Sequence, residues 1–204
     1  MTTALLVVAH HRGDSLTARV ADRARLRLEK DGHTVDLLDL HAEGFDPRMT
    51  SEDEPDWSDR DKAYSEEVRA HMRRIDAADL IVVVFPVWWY GPPALLKGWV
   101  DRVWNYGFAY GRSTARLGGK RMLWLALAGE SREAYAEHGL DTALTRQLQT
   151  GVSRYCGIED TAVRFVYGTV PDDEAAAAGL LGATDEILAD LLEHRPAEKG
   201  KTDS

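Results

Sequence analysis

Cysteine is nearly absent: the 204 residues contain only Cys156, so no disulfide can close within the chain. Next to Tyr155 and before Gly157 on an apolar helical stretch, Cys156 reads as a packing residue and not as a nucleophile. Basic charge is scarce too. The 25 Lys and Arg stand against 34 Asp and Glu, a formal net charge of −9. That balance excludes nonspecific nucleic-acid binding, which needs clustered cations to neutralise phosphates. No apolar run approaches the roughly 20 residues of a membrane span. Met1-Thr2-Thr3 leads straight into apolar sequence without the basic start of a signal peptide, so a cytoplasmic protein with no membrane insertion is expected. Neither the Walker phosphate loop nor G-x-G-x-x-G occurs, which argues against ATP and against a dinucleotide held in the Rossmann manner. His10 and His11 are the only adjacent histidines; neighbours at a strand end point in opposite directions, so no metal site is expected. No repeat or low-complexity segment suggests a scaffold.

What remains is 44% hydrophobic and 29% charged, the balance of one α/β domain, expected over residues 1–194. The polar segment 195–204 has too few apolar residues to be held down and is expected to be disordered. Runs rich in β-branched residues at 4–9, 34–38, 80–85, 122–127 and 161–166 predict five strands. Helical stripes separate and follow them: Leu16, Val20, Ala24, Leu28; Tyr64, Val68, Met72, Ile75; Leu96, Val100, Val103; Leu140, Leu144, Leu148, Val152; and a last one from Leu180 to Leu191. Strict alternation implies a doubly wound, five-stranded parallel sheet with helices on both faces and strand order 2-1-3-4-5. In such a sheet ligands bind beyond the carboxyl ends of the strands where the order reverses, between the first and third.

The loops at that edge are informative. After the first strand, His10 to Thr17 offers Asp14 or Ser15 as a helix cap, and the helix N-terminus with the Ser15 and Thr17 hydroxyls suits a phosphate. Ordinary capping explains the same residues. After the third strand, Trp88, Trp89 and Tyr90 stand in a turn stiffened by Pro86, Pro92 and Pro93. Three large aromatics outside a sheet suit a flat apolar ligand, or packing under a loop or at a dimer contact. After the fourth strand, residues 126–131 supply a small-residue turn. The acidic residues Glu52, Asp53, Glu54, Asp56 and Asp59 read as a solvated loop or a cover for the pocket.

From Phe85 to Trp104 the chain reads FPVWWYGPPALLKGWVDRVW, followed by GFAYG at 107–111. This segment closely resembles the NAD(P)H:quinone oxidoreductase family of flavodoxin-like flavoproteins, and weaker likeness extends from Ala4 to about Gly168. The resemblance implies a flavodoxin-like fold, a tightly bound FAD or FMN, NADH or NADPH as electron donor, a small-molecule acceptor such as a quinone, and a homodimer with its sites at the interface. Carried over by position, His10, Ser15, Leu16 and Thr17 would meet the phosphate and ribityl chain. Pro86, Val87, Trp88, Trp89 and Tyr90 would hold the ring, and Ala126, Leu127, Ala128 and Gly129 would line its polar edge. Thr17 stands where many members have Asn, and Ala126 and Leu127 where some have Thr.

Tyr135 matches a tyrosine near the flavin in that family, and its O–H with the Gly129 N–H are the candidate donors to the polar edge; it also reads as a core residue. The histidine that often follows has no clear match: a gapless count reaches Asp141, with His138 nearby as the candidate proton donor. Tyr106, Phe108 and Tyr110 are candidates for stacking on donor and acceptor, or for dimer packing, and Arg112 and Arg116 for a nucleotide phosphate or plain surface. Similar proteins also serve as ancillary flavin-binding subunits of potassium-efflux systems, an alternative reading.

Overall fold

A computed structural model describes residues 2–113, 115–170 and 174–193; the tail expected at 195–204 lies outside them. Strands β1 (Thr2–Val8), β2 (His33–Asp39), β3 (Leu80–Pro86), β4 (Arg121–Leu127) and β5 (Asp160–Val166) form one parallel sheet in the order β2-β1-β3-β4-β5. Helices α1 (Leu16–Lys30), α2 (Glu66–Ala77), α3 (Ala94–Val103), α4 (Arg132–Glu137), α5 (Leu140–Thr145) and α6 (Glu174–Glu193) connect and flank the strands. Among the described residues no helix is long and apolar enough to cross a membrane.

The alternation of side chains along each strand divides the core in two. Leu5, Val7, Ile81, Val83, Phe85 and Trp124 face α2 and α3, whereas Leu6, Val8, Val82, Val84, Leu123 and Leu125 face α1 and α6. Every residue of β3 is buried, as expected of a central strand covered on both faces. The register pairs Val8 with Val84 and Pro86 with Leu127, so the loops leaving β1, β3 and β4 emerge side by side.

Two expectations change. The stripe at 140–152 does not form one helix: α5 gives way to a π-helical segment, Arg146–Ser153, and a 3-10 turn, Arg154–Cys156. The buried Trp124 Nε1–H needs an acceptor and finds Ser153 Oγ at 2.9 Å, while that hydroxyl donates to the Leu148 carbonyl five residues back at 3.0 Å. The wider turn thereby leaves no polar group of this trio unpaired. The acidic loop is also not uniformly solvated, because Asp53 is fully buried while Glu52, Glu54, Asp56 and Asp59 are exposed. Asp53 meets Arg102 of α3 at 2.7 Å, and Arg102 is itself 3% exposed.

Gly98 lets α3 approach the segment before Asp53. A Cβ there would lie 2.2 Å from the Pro47 carbonyl oxygen, backbone that cannot swing aside. Gly98→Ala is expected to cost about 2 kcal/mol despite alanine's better helix propensity, read as a lower midpoint in urea unfolding.

Candidate functional site

The chain leaves β1 at Val8, and Ala9 N–H still bonds to the Val84 carbonyl at 3.1 Å. Ser15 then caps α1, its Oγ accepting from Ala18 N–H at 3.2 Å. No acidic residue occupies the first turn. The amides of Leu16 and Thr17 make no hydrogen bond within the described residues, so the positive end of the helix dipole faces the crevice. The expected opposition of His10 and His11 fails: their rings stack at 4.6 Å with 18° between planes. Both have left the strand, so its alternation no longer governs them. Arg12 N–H donates to His10 Nδ1 at 3.0 Å, which assigns the ring proton of neutral His10 to Nε2. Burial first, then the neighbouring His11, lowers the His10 pKa, so the ring stays neutral at pH 7 and presents an N–H donor.

After β3, Trp88 and Gly91 exchange backbone hydrogen bonds of 3.0 and 3.1 Å. The two residues between them, Trp89 (φ 51°) and Tyr90 (φ 58°), both adopt left-handed backbone. This is the primed two-residue turn that normally demands Asn or Gly. Here it carries two aromatics, at a backbone cost of about 1 kcal/mol each. The amides of Trp89 and Tyr90 bond to nothing in the described residues. Trp88 leans toward the His10 and His11 rings at 6.0 and 5.7 Å, while Trp89 is 97% exposed. The strain is local and holds a flat aromatic face open to solvent.

After β4, Ala128 N–H bonds to the Val166 carbonyl and Gly168 N–H to the Glu130 carbonyl, pinning the turn against the exit of β5. Gly129 N–H bonds to nothing among the described residues, and a Cβ on Gly129 would meet only Val170 at ordinary contact distance. Ala126 and Leu127 belong to β4 itself, with side chains buried on opposite faces, so they offer the crevice little beyond backbone. Pro86 likewise ends β3 in a buried position.

Tyr135, on α4, is 3% exposed and meets the Tyr90 ring edge-on at 5.6 Å. Burial, then the Tyr90 hydroxyl and Glu130, raises its pKa, so it keeps its proton at neutral pH. His138 caps the C-terminus of α4 in an exposed position, its backbone N–H donating to the Ala136 carbonyl. Sequence reasoning missed Tyr167. Its ring packs on Tyr135 at 5.6 Å and its hydroxyl donates to Asp141 Oδ2 at 3.1 Å; burial, then that carboxylate, pushes its pKa up to about 12. An aromatic directly after a strand-five exit was the available signal.

Tyr106, Phe108 and Tyr110 stand apart from these loops. Tyr106 and Tyr110 pack on each other and on Trp57, and Tyr110 on Tyr155, while Phe108 is buried in the core. No described hydrogen bond, ion pair or ring contact links the three to the crevice. Cys156 is buried, and burial pushes its thiol up to about 12, consistent with packing.

The profile of the Flavodoxin_2 family, a flavodoxin-like fold, matches residues 2–191. The chain belongs to this family. Among its flavodoxin-like relatives, the Escherichia coli (strain K12) protein YcaK, an uncharacterized NAD(P)H oxidoreductase, is 45% identical over 168 residues, 82% of this chain and 85% of its own. NAD(P)H dehydrogenase (quinone) 1 of Rattus norvegicus is 32% identical over 194 residues, 83% of this chain and 71% of its own. Among solved flavodoxin-like structures, an NAD(P)H:quinone oxidoreductase from Methanothermobacter marburgensis superposes with a TM-score of 0.84 at 26% identity, covering 96% of this chain and 99% of that one.

Proposed function

We propose that this protein is a flavin-dependent oxidoreductase that passes two electrons from NAD(P)H to a quinone or a similarly flat acceptor. The observation that carries the reading is the strained Trp88–Gly91 turn beside unbonded amides at the switch point of the sheet. A chain does not hold two aromatics in left-handed backbone, one almost wholly exposed, for its own packing. The relatives named for NAD(P)H and quinone chemistry support it.

The residues fit FMN or FAD. The Leu16 and Thr17 amides, the Ser15 and Thr17 hydroxyls and the neutral His10 ring supply donors for a phosphate and ribityl chain without a basic residue. Residues 87–90 would wall the ring, and the Gly129 N–H and the Tyr135 hydroxyl would be the donors to its polar edge. When bound, the flavin supplies the hydride chemistry between donor and acceptor. Tyr135 keeps a proton to donate, because burial disfavours its phenolate. His138, open to bulk water, delivers the proton that quinone reduction consumes. Tyr135→Phe should slow both half-reactions about tenfold and His138→Gln only the oxidative one, in anaerobic stopped-flow absorbance. A second copy of the chain, covering Trp89 and bringing its Tyr106 and Tyr110 to the crevice, completes the acceptor pocket; sedimentation velocity should show a dimer.

The deciding experiment is an absorbance titration with FMN and FAD followed by anaerobic NADH or NADPH. Flavin bands that bleach with the nucleotide and return with a quinone support the reading. Failure to bind either flavin overturns it.

A further inference from the structure

Tyr135 sits on a helix too short to aim it. α4 has six residues, and Tyr135 is the only one of them that is buried, so its direction is set by what packs on the ring. On one side the Tyr90 ring of the strained turn meets it edge-on at 5.6 Å. Two rings from the exit of β5 complete the clamp: Tyr167 at 5.6 Å and Phe165 at 6.1 Å, stacked on each other with 15° between planes. Where Tyr167 stands therefore decides where Tyr135 points.

Packing alone does not hold Tyr167. The ring is half-buried and borders an open groove of about 500 Å³ that Arg132, Asp141 and Thr142 also line. Two polar contacts fix it instead. Its hydroxyl donates to Asp141 Oδ2 at 3.1 Å, and the Arg132 guanidinium lies over its face at 4.8 Å. Asp141 is anchored in turn in the first turn of α5, its Oδ1 accepting from Thr142 N–H at 2.7 Å. One carboxylate oxygen thus serves the helix and the other the tyrosine. Burial, then this carboxylate, disfavours the Tyr167 phenolate, so the donated proton stays on the ring at neutral pH. We propose that Asp141 and Tyr167 are positioning residues for Tyr135: their hydrogen bond holds the Tyr135 ring against the Tyr90 turn so that its hydroxyl faces the crevice. That this serves hydride transfer rests on the oxidoreductase reading; the brace itself does not. No hydrogen bond joins Asp141 to Tyr135 among the described residues, so Tyr167 is the link between them.

Fluorotyrosine labelling tests the brace in the flavin-free full chain, where the fluorine signal that Tyr135→Phe deletes belongs to Tyr135. Asp141→Ala and Tyr167→Phe should shift that signal alike, and the double variant no further, because each breaks the same bond. A signal that stays in place in both variants, or shifts that add in the double variant, would overturn the proposal. In the flavin-loaded protein either variant should slow reduction by NAD(P)H about fivefold in anaerobic stopped flow, with the dissociation constant of the donor unchanged. Neither should slow it further once Tyr135 is replaced by Phe. A loss that adds to that of Tyr135→Phe would make the pair a support for the fold and not for Tyr135. Reduction at the native rate in variants whose Tyr135 signal has moved would remove the pair from the reaction. A chain that binds no flavin while the signal still shifts sinks the oxidoreductase reading and leaves the brace standing.

Discussion

Trp89→Asn is expected to raise the melting temperature of the flavin-free chain by about 3 °C while weakening flavin retention thirtyfold to a hundredfold. The two effects have opposite signs because the turn serves the ligand at the expense of the fold. At φ 51° the Trp89 backbone costs about 1 kcal/mol, and Asn tolerates that conformation. With the indole 97% exposed, its removal forfeits no packing in the single chain. For a domain of this size 1 kcal/mol moves the midpoint by about 2–4 °C. Against a bound ring, the same indole contributes buried area and stacking worth roughly 2 to 2.7 kcal/mol together, which converts to the stated loss of affinity. Thermal melts of the flavin-free protein and flavin fluorescence titrations read the two quantities separately. Unchanged affinity would remove Trp89 from the ring's wall. A melting temperature that falls instead, more steeply at high protein concentration, would place the indole in a contact between copies.

That turn also marks where sequence reading stops. The aromatic run was legible, and so was its place at the switch point, because the all-apolar β3 and the alternation of strands and helices permit few topologies. Its geometry was not, since Trp-Tyr is the wrong chemistry for a primed turn and no residue pattern announces a conformation held against propensity. The break after α5 was hidden for a different reason. Leu140, Leu144 and Leu148 keep helical spacing, and only the tertiary demand of the Trp124 indole on Ser153 widens the turn. The His10 and His11 stack and the Asp141 to Tyr167 bond depend on where loops fold back after their strands end. Asp53 was misjudged because its neighbours are acidic and exposed, while its partner Arg102 lies 49 residues away on α3.

That partner makes Arg102→Met the largest expected stability loss, about 4 kcal/mol at pH 7, because it leaves a buried carboxylate without its cation. Arg102 also bonds to Glu67 and to the Asp46 carbonyl, and Asp53 to Ser65 and Thr50, so the pair ties residues 46–65 to α2 and α3. The pH dependence gives the sharper test. Burial alone would raise the Asp53 pKa, but Arg102 and then the Ser65 and Thr50 donors outweigh it and hold the carboxyl below its usual range. In the native chain its contribution is therefore complete above about pH 4 and is lost as pH falls through the depressed folded value. His71 erodes stability earlier: burial lowers its pKa, so the unfolded chain takes up the proton first as pH drops below about 6.5. Without Arg102 the sign for Asp53 reverses. Its folded pKa rises above the unfolded one, and acidification relieves the variant while it weakens the native chain. The difference in unfolding free energy between the two, measured in urea, should then shrink steadily from pH 7 to pH 4. A difference that stays constant over that range would mean that Ser65 and Thr50 alone keep Asp53 charged in the core.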